Sequence, residues 1–252
     1  MELKVTQQNL LDLMITLDGI CRKENISYSL HGGTLLGAVR EKGFIPWDDD
    51  MDILMTRGEF EKLEEALSNH PQYHIAGNIK KQFRQKGENR YWVDIFICDY
   101  ISHRPLQQKL KQLTLTLLDV MNRDKHTISL SDFSKHDLGK RLAFKAAYWC
   151  GKLLTKQCKG NLYKKVSRDL WLGNRTLYMR SNDQYSGRVM VSPVHWLDTY
   201  YYVPFAHTEL AISSHYHDIL TAIYGDDYMT PRRDDRNNAV HDLLREDADF
   251  NL

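Results

Sequence analysis

The sequence predicts an α+β protein, a small mixed sheet flanked by helices with a helical middle region. Three patterns carry this expectation. Leu10, Leu11, Met14, Leu17, Ile20 and Cys21 recur at intervals of three and four, which puts one apolar face on a helix over residues 5–23. Asp50 to Met55 ends in an alternation of acidic and apolar residues, the period of a half-buried strand. Tyr91 to Ile97 is rich in aromatic and β-branched residues, a second strand. Helices and strands thus alternate through the first hundred residues.

Taken in order, the first helix leads into a strand-like run, Ile26 to Leu30, which ends in the turn His31-Gly32-Gly33-Thr34. Leu35 to Arg40 reads as a brief helix closed by Gly43. After the strand of Asp50 to Met55, Thr56 with Glu59 has the spacing of a capping box, opening a helix that runs to about Ser68. A further helix is expected over 106–120. Toward the C-terminus, 187–191 and 200–204 give compact signals, and a helix at 216–224 is stopped by Gly225. The expected organisation is a single catalytic domain over 1–252. Its core motifs lie at 5–100 and 195–241, with a helical insertion at about 104–185.

Composition narrows the function classes. The chain has 252 residues, 34 Lys+Arg against 33 Asp+Glu, for a net charge of +1. That balance gives no global attraction for nucleic acid, so none is expected as a partner. Four cysteines, Cys21, Cys98, Cys150 and Cys158, show no C-x-x-C spacing. Reduced thiols in a cytoplasmic protein are the simplest reading. The polar N-terminus shows no signal peptide, and no apolar run reaches the roughly 18 residues of a membrane-spanning helix.

The chemistry concentrates in Asp48-Asp49-Asp50-Met51-Asp52. Two apart on a strand, Asp50 and Asp52 share a face, and two like charges side by side call for a cation between them. Oxygen donors suit Mg²⁺ or Mn²⁺. Asp94, on the second strand, offers a third carboxylate, and Asp48 a further metal ligand. Asp49 is expected to face away. The glycines of Gly32-Gly33-Thr34 let a backbone approach phosphate at a helix N-terminus, and Arg40 lies further along that helix as a clamp. Each feature has a plainer reading. A Gly-Gly pair is ordinarily a turn, an acidic run a solvated loop, and Asp94 an edge-strand residue. Against these stand Met51, Ile53, Leu54 and Met55, which draw the carboxylates toward a core where unpartnered charge is costly. Trp47 is read either as a packing residue or as a stacking surface for a base or a choline headgroup.

The run His31 to Arg40 followed by Gly43 to Asp52 resembles the LicD family of phosphocholine transferases, which includes fukutin-like domains. Val93-Asp94-Ile95-Phe96 resembles the family's third acidic motif. Ile223-Tyr224-Gly225-Asp226-Asp227-Tyr228-Met229 resembles its Tyr-Gly-Asp segment, and Arg236 and His241 fall where the family tends to keep an Arg and a His. The resemblance implies a nucleotidyltransferase-like (polymerase-beta-like) fold. It implies transfer of phosphocholine, or a related phospho-alcohol, from a CDP-activated donor to a glycan hydroxyl, with CMP leaving. Asp50, Asp52 and Asp94 become the catalytic carboxylates, with Asp94 either base or metal ligand. Asp50, Asp52, Asp94 and Asp48 become the ligands of Mg²⁺ or Mn²⁺. Gly32, Gly33, Thr34, Arg40, Trp47, Arg236 and His241 become donor-binding residues.

Two other functions fit the same residues, a nucleotidyltransferase that releases pyrophosphate and an inactive glycan-binding module. Residues 138–167 hold no acidic residue but eight basic ones: Lys140, Arg141, Lys145, Lys152, Lys156, Lys159, Lys164 and Lys165. This stretch reads as a solvated helical face, as a contact with an anionic membrane at the inner face of the cell membrane, or as a glycan-binding surface. The membrane reading requires Phe144, Leu153 and Leu154 to share a face.

Overall fold

The computed structural model describes residues 2–123 and 138–231. Within them the chain forms a mixed sheet with helices, an α+β architecture. In chain order the first half holds α1 (Glu2–Lys23), β1 (Ser29–Leu30), α2 (Gly32–Arg40), β2 (Asp52–Thr56) and α3 (Arg57–Leu67). It continues with β3 (Tyr73–Ala76), β4 (Lys81–Gln85), β5 (Val93–Ile101) and α4 (Pro105–Asn122). The second half holds α5 (Leu138–Lys152), α6 (Lys156–Asp169), β6 (Leu177–Arg180), α7 (Tyr185–Arg188) and β7 (Val191–Pro193). A 3₁₀ turn at Val194–Leu197 leads to β8 (Tyr200–Phe205), β9 (Thr208–Ser213) and α8 (Tyr216–Tyr224).

Two compact units divide these elements. The first comprises residues 2–115 and 164–229. The second, in its described part, comprises 116–123, 138–163 and 230–231.

In the first unit the main sheet runs β1-β2-β5-β4-β3, with β6 on β5 and β7 on β6. β2 and β5 are parallel, and their register sets Asp52 opposite Asp94. β5 shares its other edge between β4, which pairs its first residues, and β6, which pairs its last. β8 and β9 form a separate antiparallel hairpin.

The core follows from the expected periodicities. The apolar face of α1 buries Leu10, Leu11, Met14, Leu17 and Cys21 against Ile53, Met55, Phe60, Phe83, Val93 and Ile95. Burying side chains of this size contributes about 1.5–3 kcal/mol each. Thr56 caps α3, its side chain accepting from the Glu59 amide at 3.4 Å. The box is only half closed, because the Glu59 carboxylate instead accepts from the Ser27 amide at 2.7 Å and from Lys62. All four cysteines are free thiols.

The structure corrects four expectations. The strand of Ile26 to Leu30 shortens to Ser29–Leu30, because the Ile26 amide donates to the Cys21 carbonyl and stays with the end of α1. Gly32 and Gly33 are the first turn of α2 rather than a turn before it. Asp50 precedes β2, which begins at Asp52. The stretch 104–185, expected to be helical, also contributes β6 to the main sheet. At four residues, β6 is too short to show a period against its polar surroundings.

Candidate active site

The loop between α2 and β2 is built by close backbone approach. A Cβ on Gly37 would lie 2.4 Å from the Gly43 carbonyl oxygen, so only glycine lets the chain fold back over α2 there. From α1, Gln7 donates to the carbonyls of Ile45 (3.3 Å) and Asp48 (2.8 Å), pinning the acidic run in place. Ile45 is buried and Trp47 packs against the main core. These contacts hold the segment that carries Asp48, Asp49 and Asp50.

The backbone also fixes the start of β2. The His31 amide donates to the Asp52 carbonyl at 3.0 Å, and the Asp94 amide donates to the Met51 carbonyl at 2.9 Å. The Asp52 amide donates to Thr34 Oγ1 at 2.9 Å, joining the first turn of α2 to the strand. Gly32 has φ +55, and a Cβ there would stand 3.0 Å from Asp52 Oδ2. A Cβ on Gly33 would stand 2.8 Å from Asp48 Oδ2. The two glycines therefore let carboxylates sit against the N-terminal end of α2, where helix amides have no intrahelical partner.

One carboxylate oxygen from each of Asp48, Asp49 and Asp50 lies within 4.8 Å of the others. Asp49 was expected to face away, but residues 48–51 lie outside the strand, so strand alternation does not apply to them. Asp52 and Asp94 extend the acidic surface. Burial holds the Asp52 carboxyl well above the usual range, and the charges of Asp50, Asp94 and Asp48 add to the shift. Asp48 is pushed up to about 8 by burial, then by Asp50, to which it is also hydrogen-bonded. Asp48 Oδ2 has no hydrogen-bond partner among the described residues. Burial also raises Asp94, whose carboxylate accepts from Gln82 Nε2 at 3.0 Å and Trp92 Nε1 at 3.2 Å. Arg84 braces this pair, donating to Gln82 Oε1 and lying 4.5 Å from the Trp92 ring centroid.

Crowded carboxylates with raised proton affinity are the arrangement that a cation relieves. The donors are all oxygens, and Asp48 keeps a buried oxygen open. That fits a hard divalent ion such as Mg²⁺ or Mn²⁺ better than zinc.

The remaining expected residues are placed as follows. Thr34 is buried at the α2–β2 junction. Arg40 donates to Glu41 Oε1 (2.7 Å) and to the Tyr228 carbonyl (3.3 Å), tying α2 to the segment after α8. Arg236 and His241 lie outside the described residues.

Several residues near the acidic run were given no site role by the sequence reading. Tyr224, at the end of α8, has its phenol held above the ordinary range by burial and then by the charges of Asp52, Asp48 and Asp50. Asp183 adds to the negative field on Asp52. Arg180, on β6, pairs with Asp183 at 3.1 Å and contacts the His31 ring. Burial and that guanidinium keep His31 neutral. Asn182 donates to the Ile95 carbonyl and accepts from the Ile97 amide, both at 2.7 Å, and so seats this segment on β5. Ser181-Asn182-Asp183 looks like any polar turn in the sequence. Only the pairing of β6 with β5 reveals its position.

Residues 25–129 match the family described as LicD/FKTN/FKRP, nucleotidyltransferase domain. The chain carries a LicD-family domain. The LicD match takes in α2, the acidic run and Asp94, but not Arg180, Asp183 or Tyr224. A Haemophilus influenzae protein named lipopolysaccharide cholinephosphotransferase LicD is 27% identical over 257 residues, spanning 90% of this chain and 91% of its own length. An uncharacterized Rickettsia prowazekii protein is 41% identical over 80 residues, 29% of this chain and 30% of its own. An uncharacterized Rickettsia typhi protein is 51% identical over 45 residues, 18% of this chain and 15% of its own.

Proposed function

We propose that this chain is a metal-dependent phospho-alcohol transferase with a nucleotidyltransferase-like (polymerase-beta-like) fold. It moves phosphocholine, or a related group, from a CDP-activated donor to a hydroxyl of a cell-surface glycan or its lipid-linked precursor. The observation that carries this reading is the cluster of Asp48, Asp49 and Asp50, with Asp48 and Asp52 against the first turn of α2 and Asp94 opposite Asp52 on β5. The name of the Haemophilus relative, a lipopolysaccharide cholinephosphotransferase, supports the carried group and the glycan acceptor.

Asp50, Asp52 and Asp48, with Asp94 beside them, would hold Mg²⁺ or Mn²⁺, which when bound offsets charge on the donor's phosphates. The amides of Gly32, Gly33 and Thr34 bind phosphate oxygens at the helix N-terminus. Arg180, beside Asp183 and His31, would offset charge on the transferring phosphate. Asp94, fixed by Gln82 and Trp92, takes the acceptor's proton. The acceptor oxygen bonds to the phosphorus that bears the alcohol, and the bond from that phosphorus to CMP breaks. CMP leaves with the electron pair. Positioning and charge complementarity are the protein's contributions to such a reaction.

The test is CMP release from a panel of CDP-alcohols with Mg²⁺ and a glycan or lipid-linked extract, comparing wild type with Asp52→Asn. Release from one donor, lost in the variant, supports the proposal and names the carried group. Pyrophosphate release from CTP or ATP, with no CMP from any CDP-alcohol, would replace it with a nucleotidyltransferase.

A further inference from the structure

Among the described residues, the second unit presents an exposed apolar stripe. On α5 the residues Leu142, Ala146 and Trp149 recur at the spacing of one helical face, and Leu153, just beyond the helix, continues it. Leu142 is 60%, Trp149 67% and Leu153 87% exposed. The opposite face carries Gly151, where a Cβ would stand 2.3 Å from the Met121 carbonyl oxygen at the end of α4. That contact leaves no room for rotation, so the apolar stripe is held outward. Phe144 lies toward the inner, half-buried side, so the outward face is not the Phe144, Leu153 and Leu154 set that the sequence suggested.

The border of the stripe is basic. Lys145 and Lys152 are exposed beside it. No acidic residue occurs between Leu138 and Ser167. α5 has 15 residues, short of the roughly 20 that a spanning helix needs. A short helix with an outward Trp, flanking leucines and a lysine border matches an element lying in the plane of a bilayer surface. Its charge is complementary to anionic headgroups.

We infer that α5 docks this face on an anionic lipid surface, with Leu142, Trp149 and Leu153 entering the headgroup boundary and Lys145 and Lys152 contacting lipid phosphates. This docking lies beyond the proposed transfer reaction. It would hold the enzyme where a lipid-linked acceptor resides.

The full chain is mixed with vesicles of phosphatidylcholine and phosphatidylglycerol at 3:1, or of phosphatidylcholine alone, and floated through a density gradient. Wild type is expected to float with the anionic vesicles at low ionic strength and to be released at about 1 M salt. The double variant Trp149→Ala, Leu153→Ser should bind on the order of tenfold more weakly. Lys145→Gln and Lys152→Gln should each weaken binding about fivefold. The lysine variants leave the apolar face untouched, so they keep the test meaningful if the double variant fails to fold. A blue shift of tryptophan emission on binding should shrink in Trp149→Phe, which retains flotation. Absence of flotation, or flotation unchanged in both the double variant and the lysine variants, overturns the inference. So does lipid-free self-association that the double variant abolishes, since a second copy would then cover the face. No donor enters the measurement, so its failure leaves the transfer reaction standing.

Discussion

Strand β5 carries two carboxylates with opposite fates. Asp99 is 2% exposed and is met by Arg57 in two parallel hydrogen bonds, 2.9 and 2.6 Å. Lys111 lies near it, fully buried, donating to the Tyr100 carbonyl and pushed down to about 8 by burial against the pull of Asp99. Asp94, five residues earlier, is held by neutral donors instead, Gln82 and Trp92. There the like charge of Asp50 outweighs the pull of Lys80. A buried carboxylate with a built-in counter-charge holds a fold together. One set among other carboxylates is costly to the fold unless something binds there. The same strand therefore anchors the molecule at one end and prepares a site at the other.

Substitutions should separate the two ends. Asp52→Asn should lower turnover about 100- to 1000-fold, the scale of losing one preorganised electrostatic group, while circular dichroism stays that of wild type. Arg57→Met should do the reverse. It strands Asp99 without its partner and should cost about 3–5 kcal/mol in urea unfolding, while turnover per folded molecule is kept. Equal losses of activity and stability in both variants would dissolve the distinction.

The acidic end also predicts a pH dependence. Asp48, Asp52 and Asp94 have folded-state proton affinities above the ordinary carboxylate value. The native state then binds more protons than the unfolded chain. Stability from these groups is full below an unfolded value near 3.8 and is lost as pH rises toward about 8, the folded value for Asp48. Chelator-treated protein should show a falling melting temperature from pH 5 to pH 8 (about the window set by these values). Mg²⁺ should flatten the fall, because a bound cation replaces the protons. Asp48→Asn should raise the melting temperature in chelator at the upper end of that window. A smaller effect is expected at Gln82. Removing its amide in Gln82→Ala frees one oxygen of Asp94 and should reduce turnover by about tenfold, the scale of losing a partner that orients a ligand.

Much of the acidic end was legible in the sequence because its parts lie close together in the chain. His31 to Asp52 brings the glycines, the loop and the first strand into one segment, and Val93-Asp94-Ile95 announces its strand by side-chain type. The position of Asp49 was misread because strand alternation was extended one segment too early. Arg180 and Asp183 were missed, and Tyr224, though read as part of the Tyr-Gly-Asp segment, was given no site role, because they arrive by long-range pairing of β6 with β5 and by the docking of α8. No local period encodes either event. The outward face of α5 was legible as composition but not as direction, since Gly151 and its contact with Met121 decide which side turns in.

The central claim is that the aspartates at the start of β2 and β5 await a cation. Titration of Mn²⁺ into chelator-treated protein at pH 7, followed by spin resonance together with proton release in weak buffer, tests it most directly. The account predicts saturable binding that releases protons, because Asp48 is largely protonated below about 8, and predicts that Asp52→Asn binds far more weakly. Absent binding, or binding of equal strength in wild type and Asp52→Asn, would contradict it.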